Sequence, residues 1–212
     1  MELKVNLGLC NRLRALFSFY EQCKETKETL YVDWTEDDIC PGIFTDYFEP
    51  LENVVFQKNN KKPSNGRWSR EFNPFDGKNI YKDLKPKIEI LDEINDLKKI
   101  LKKNYLSIHV RRTDHVLFRK GKKIHVEDDY FFKFLDKSEK RIYIATDNFE
   151  TQEMYYNKYK ERIKYIKFIT SNKFRRTSLR DAIIDIYMCI NSERFLGTPW
   201  SSFSSLIKHN RY

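Results

Sequence analysis

Hydrophobic spacing along the chain switches repeatedly between short apolar runs and a helical period. Residues 3–7 (LKVNL) form a short apolar run, and 12–25 place Leu13, Leu16, Phe17 and Tyr20 at helical spacing. Residues 29–34 (TLYVDW) and 53–57 (NVVFQ) read as strands, and Thr35–Asp38 between them reads as a helix start. Residues 58–79 hold Pro63, Gly66, Pro74 and Gly77 with little period, which predicts a long loop of the kind that is usually functional or mobile. After Pro86, the residues Ile88, Leu91, Ile94, Leu97 and Leu101 share one stripe of an amphipathic helix. Lys98, Lys99, Lys102 and Lys103 complement its C-terminal dipole, and Asn104 can end it.

The second half is more regular. Strands at 105–110, 141–146, 163–169 and 194–197 alternate with helices near 128–137, 149–160, 178–191 and 201–208. Such alternation predicts an α/β chain whose parallel sheets are covered on both faces. Residue 104 is the best boundary, which divides the chain into domains 1–104 and 105–212. No internal repeat is evident.

Composition narrows the picture without deciding it. A chain of 212 residues with 40% hydrophobic and 15% aromatic content can bury a core. The 40 Lys+Arg against 31 Asp+Glu give a formal charge of +9, which fits nucleic acid, an anionic membrane or a phosphorylated small ligand equally well. Four cysteines (Cys10, Cys23, Cys40, Cys189) are unevenly spaced with no CxxC pair, so they read as reduced thiols without a zinc or disulfide pattern. The N-terminus shows no signal-peptide pattern, and no apolar run approaches the roughly 18 residues of a spanning helix. The expectation is a protein of the cytoplasm or another reducing compartment, with no membrane segment in this chain.

Candidate chemistry lies where ligands bind parallel sheets, beyond the carboxyl ends of the strands. After the strand at 105–110 comes His109-Val-Arg-Arg-Thr-Asp114. Adjacent Arg111 and Arg112 offer planar forks to a diphosphate, although a surface ion cluster would look the same. Asp147, in Thr146-Asp147-Asn148, is either a ligand residue or the cap of the next helix. The small-polar loop Thr198–Ser204 could present backbone N–H groups and hydroxyls to an anion, or could merely cap. Asp181 and Asp185 sit four apart on an otherwise apolar helix, where an unpaired carboxylate is costly, so Asp185 is a ligand or network residue. Gly8-Leu-Cys-Asn-Arg12 follows the first strand with a single glycine and matches no dinucleotide or Walker loop.

In unbroken order over about 105–206, HVRRTD, IHVEDDY, RIYIATDN, TSLRDAIIDIYMCINSERFLGT and WSSFS resemble the fucosyltransferase superfamily. The likeness is strongest to the alpha-1,6-fucosyltransferases and more distant to the protein O-fucosyltransferases and nodulation fucosyltransferases. GLCNRLRA is similar to the glycine-asparagine loop that opens the first domain of these enzymes. The resemblance implies a GT-B-like fold, two small Rossmann-like domains facing each other, with GDP-fucose as donor. It also implies inversion at the anomeric carbon, no required metal and no cofactor beyond that substrate. Arg111 would then hold the β-phosphate, while His109 and Asp185 would hold the guanine. Asp147 would line the site near the nucleotide, and Asp114 would help build it. Ser201, Ser202 and Phe203 would close over the pyrophosphate. Asn11, with Gly8 and Arg12 beside it, would reach across from the first domain. The acceptor would be a glycan or glycoprotein.

Three departures leave the acceptor's base open. The stretch LFRKGKKIHV carries no carboxylate where alpha-1,6 relatives have a glutamate, His115 stands for a lysine, and Cys10 stands for a second glycine. Asp114, His115 or a donor phosphate oxygen could take the proton. The alternatives are another GDP-sugar donor on the same fold and a non-catalytic nucleotide- or glycan-binding protein. A nucleic-acid-binding module using 58–70 and 119–123 is a third reading, disfavoured because no RNA- or DNA-binding signature accompanies those runs.

Overall fold

The structure, a computed structural model, describes residues 1–57, 79–112, 126–166 and 177–211. The long loop expected over 58–79 falls almost wholly outside them, as do Asp114 and His115.

The chain divides into two compact units, Met1–Ile88 and Glu89–Arg211. The first unit begins with β1 (Glu2–Lys4), α1 (Leu9–Thr26) and β2 (Leu30–Asp33), followed by α2 (Phe44–Tyr47) and β3 (Val54–Gln57). Its three strands form a parallel sheet in the order β1-β2-β3. β1 ends at Lys4, short of the apolar run 3–7, and Leu7 beyond it turns into the left-handed region at φ 68°, where no strand could continue. α1 starts three residues earlier than its periodicity suggests, at Leu9 beyond the Gly8 N-cap. The helix start expected at 35–38 does not form. Asp37 Oδ1 instead accepts the backbone N–H groups of Ile39 and Cys40, at 2.9 and 2.8 Å, and holds a turn. Leu13, Leu16 and Phe17 of α1 and Leu3, Leu30 and Val32 of the sheet are buried. Phe44 stacks on Phe48 and Phe56 at 5.0 and 4.6 Å.

α3 (Ile88–Leu101) groups with the second unit apart from its first residue, so the division falls 16 residues before the expected boundary at 104. Its ties explain this. Arg180 pairs with Glu93, and Lys98 Nζ bonds Asn191 Oδ1 at 3.3 Å. β4 (Leu106–Val110) then leads to α4 (Asp128–Leu135), β5 (Ile142–Thr146) and α5 (Phe149–Tyr159). β6 (Ile163–Lys164), α6 (Leu179–Ile190), β7 (Arg194–Gly197) and α7 (Ser202–His209) complete the unit. The four strands are parallel in the order β6-β5-β4-β7. The fold class expected from the alternation, α/β with two parallel sheets, is what the chain adopts.

The second sheet has two different faces. One carries Leu106, Ile108, Val110, Ile142 and Ile144, which pack with Phe131, Leu135, Tyr155 and Tyr159 into a core. The other carries Ser107, His109, Tyr143 and Gly197, in register across β4, β5 and β7. Strand periodicity alone separates the two sets. The second face is polar for a buried surface, and the candidate site grows from it.

Candidate functional site

Three loops at the carboxyl edge of the second sheet converge around His109. The β7–α7 loop is fastened to β4 by Thr198, whose N–H and hydroxyl both donate to the His109 carbonyl at 2.9 Å. The same hydroxyl accepts the Arg111 N–H at 2.9 Å. Ser201 caps α7 by accepting from the Ser204 N–H, so this start presents first-turn N–H groups beside small polar side chains. The His109 ring stacks on Phe203 with centroids 4.4 Å apart, and its Nδ1 lies 2.8 Å from Ser204 Oγ. Gly197 makes that approach possible. A Cβ there would sit 2.6 Å from the Ser204 Cβ and 2.8 Å from the Phe195 ring. Beside these contacts Trp200 adopts φ 58° and remains 68% exposed.

The two arginines, equivalent by sequence, part company in the fold. Arg112 is turned away to α4, donating from Nη1 to the Val126 carbonyl at 2.8 Å and pairing with Asp128. Asp128 also accepts from Tyr155 at 3.0 Å. Arg112 thus anchors its loop with its side chain. Arg111 lies with Nε 3.3 Å from Asp147 Oδ2, while Asp147 Oδ1 accepts the Arg112 N–H at 2.8 Å. One carboxylate therefore sets both the loop backbone and the plane of the Arg111 guanidinium. The choice left open for Asp147 resolves against capping, because Asn148 is the residue that caps α5, accepting from the Thr151 N–H at 2.8 Å.

Asp185 projects from α6 toward the polar face of the sheet and is 5% exposed. Its Oδ1 accepts from the Tyr143 hydroxyl at 2.6 Å, and Oδ2 has no hydrogen-bond partner among the described residues. Burial pushes the carboxyl pKa up to about 8; the Tyr143 bond opposes that rise and Asp181 adds to it. The Tyr143 hydroxyl is itself driven well above its ordinary range by burial, so it remains a donor.

In the first unit, Gly8, Asn11 and Arg12 share the β1–α1 loop and the first turn of α1. Asn11 Oδ1 accepts from Arg14 at 2.9 Å. Arg12 has no exposed surface: Nε donates to the Leu7 carbonyl at 2.8 Å, Nη1 to the Thr35 carbonyl at 2.5 Å, and Nη2 pairs with Asp37 at 2.6 Å. Its guanidinium holds the left-handed Leu7 in place and is engaged within its own unit.

Of the residues expected from sequence, the fold thus brings His109, Arg111, Asp147, Ser201 and Phe203 to one edge, with Ser202 in the same helix start. Asp185 stands on the adjoining face. Tyr143 and Gly197 emerge as supporting residues that the sequence did not single out, while Thr198 and Ser204, the two ends of the expected anion loop, tie it to the His109 carbonyl and ring. The only advance signal of Tyr143 and Gly197 was strand alternation. Among the described residues no group of three or more His, Cys, Asp or Glu is arranged to hold a metal, and no helix is long and apolar enough to cross a membrane. All four cysteines are buried thiols.

No family model matches the chain. GDP-fucose protein O-fucosyltransferase 2 of Plasmodium berghei (strain Anka) is 31% identical over 126 residues, which is 56% of this chain and 26% of that protein. The chain therefore spans about a quarter of the length of this curated relative. Among solved structures, fucosyltransferase NodZ from Bradyrhizobium superposes with a TM-score of 0.66 at 14% identity, over 98% of this chain and 91% of that one. POFUT1 in complex with GDP superposes with a TM-score of 0.69 at 12% identity, over 99% and 94%. At such identities the structures speak for the fold, which is GT-B-like, with two Rossmann-like parallel-sheet units. The resemblance to the fucosyltransferase superfamily carried by the sequence motifs recurs in these relatives.

Proposed function

We propose that this chain transfers L-fucose from GDP-fucose to a glycan or protein hydroxyl, with inversion and without a metal. The observation that carries the reading is the carboxyl edge of the second sheet. There a carboxylate-oriented arginine, an imidazole stacked on Phe203 and a serine-capped helix start converge. The curated relative is named for GDP-fucose, and NodZ and POFUT1 have been seen with GDP or GDP-fucose, which supports that donor.

Departure of GDP from the fucosyl carbon develops negative charge on the diphosphate while the sugar becomes oxocarbenium-like. Arg111, oriented by Asp147, and the first turn of α7 supply donors that need little rearrangement as the charge grows. One lost donor at such a site costs about 3–4 kcal/mol of transition-state stabilisation. His109 and Asp185 hold the guanine in this reading, and Ser201, Ser202 and Phe203 close over the pyrophosphate. The acceptor oxygen attacks from the face opposite the leaving group, which inverts the anomeric carbon. Its proton passes to Asp114, His115 or a donor phosphate oxygen. Guanine and diphosphate contacts do not read the sugar, so a panel of GDP-sugars in a donor-hydrolysis assay identifies the group transferred.

The binding test uses thermal stability. At a hundredfold excess over Kd, ligand linkage supplies about 2.7 kcal/mol, which raises Tm by about 5–10 °C in a chain of this size. GDP is expected to give that shift and UDP none, and Arg111→Ala to remove it. An equal shift with UDP, or none with either nucleotide, overturns the reading.

A further inference from the structure

Asp185 is held through one of its two oxygens. A carboxyl in so buried a position is either engaged by donors or kept neutral, because an unpaired charge there is costly. Here Oδ1 has the Tyr143 hydroxyl at 2.6 Å, and Oδ2 has no partner among the described residues. Tyr143 comes from β5, in register with Ser107 of β4, and its ring is wholly buried. It therefore reaches Asp185 from a rigid strand, and its phenol can only donate to a carboxylate. A single fixed donor on Oδ1 sets the rotation of the carboxylate and leaves Oδ2 aligned for an incoming donor.

We propose that Tyr143 is the positioning residue for base selection: its hydroxyl locks Asp185 so that Oδ2 accepts the N–H edge of a purine carrying an exocyclic amine next to a ring N–H. The inference rests on the GDP reading above and deepens it, since it concerns which base the site takes and how. A carboxylate oxygen accepts N–H donors best when the group is ionised and held in one orientation. Burial works against ionisation, and the Tyr143 bond works for it. The charged and titratable groups that act on the pair are Asp181 and Cys189 on α6 itself and Tyr105 just ahead of β4, with Arg211 after α7 acting on Cys189. Asp181 raises the Asp185 pKa further, which leaves the Tyr143 hydroxyl as the group that favours the carboxylate. Base binding is then coupled to loss of the Asp185 proton.

The test compares GDP with inosine diphosphate, which lacks the exocyclic amine, by calorimetry from pH 6 to 9 on the whole chain. The wild type is expected to prefer GDP at least tenfold, with the preference growing up to about pH 8, where Asp185 ionises. Tyr143→Phe keeps the ring and removes the hydroxyl. It should cut the preference to about threefold or less at pH 7 and move the rise to higher pH. Ser107→Ala is the control, because Ser107 lies on the same face and bonds Ser192 Oγ at 2.6 Å without touching Asp185. It should lower Tm and leave both the preference and its pH profile unchanged. If Tyr143→Phe binds with the wild-type preference and profile, the proposal is overturned. Should that variant fail to fold, the wild-type curve decides: a GDP preference flat from pH 6 to 9 overturns it as well. Wild type that binds neither nucleotide counts instead against the GDP reading itself.

Discussion

Gly197 shows how much of the site depends on one absent side chain. His109 is held from two directions, by Phe203 on its face and Ser204 at Nδ1, and both partners ride on α7. α7 can come this close only because Gly197 has no Cβ to meet Ser204. Gly197→Ala forces the helix start away from β7 at a cost of about 1–3 kcal/mol, the usual range for overpacking. The displacement separates Ser204 from His109, so GDP affinity is expected to fall at least tenfold while the α-helical signal is retained. Chemical denaturation and calorimetry on the same preparation check both halves of that statement. A variant that loses stability but keeps full GDP affinity would place the His109–Ser204 contact outside the binding site. At this scale the sequence was informative about chemistry and poor about partners. HVRRTD pointed to a basic loop at a strand end, but nothing local told Arg111 from Arg112. That distinction comes from Asp128 and Val126, 16 and 14 residues further along, and from the Asp147 carboxylate beyond β5. Tyr143 was hidden for the same reason, since its partner Asp185 lies 42 residues away on another element.

The elements themselves were largely legible, because amphipathic helices and buried strands write their period into the chain. α3, α5, α6 and α7 lie within a few residues of where periodicity puts them. The failures were at turns governed by single side chains. Asp37 took two backbone N–H groups and made a turn where a helix start was expected, and the apolar run 3–7 gave way to a left-handed Leu7 instead of a longer strand. Membership of a unit is also invisible to periodicity. The stripe of α3 shows that it packs against something, while its ion pair with Arg180 and its Asn191 contact show what. Hydrogen exchange can read this directly. Amides of Ile90–Leu101 are expected to open together with β4 and α6, and to gain protection when GDP binds the second unit. Exchange of α3 in step with α1 and β2 would assign the helix to the first unit instead.

At the scale of the molecule, the charge that first suggested nucleic acid is spread among local roles. Arg12 braces a loop, Arg112 anchors α4's approach, and Arg111 stands at the candidate diphosphate site. One buried group ties global stability to pH, and it is Asp185. Its native pKa, about 8, lies far above the value of an aspartate in an unfolded chain, about 3.9. Between those values the native state keeps a proton that the unfolded state has lost. Stability of the empty protein therefore falls as pH rises through this window, by at most about 1.4 kcal/mol per unit from this one group, and levels off above it. Below about pH 4 both states are protonated and the group contributes no slope. Asp185→Asn removes the titration, so its Tm should fall less than that of the wild type between pH 5 and 8. GDP should offset the wild-type decline, because the ligand favours the carboxylate that burial disfavours. Thermal scans of both proteins across that range, with and without GDP, measure the two effects together. If the curves of wild type and Asp185→Asn run parallel, the native Asp185 is already ionised at pH 5. Proton loss would then play no part in selecting the base.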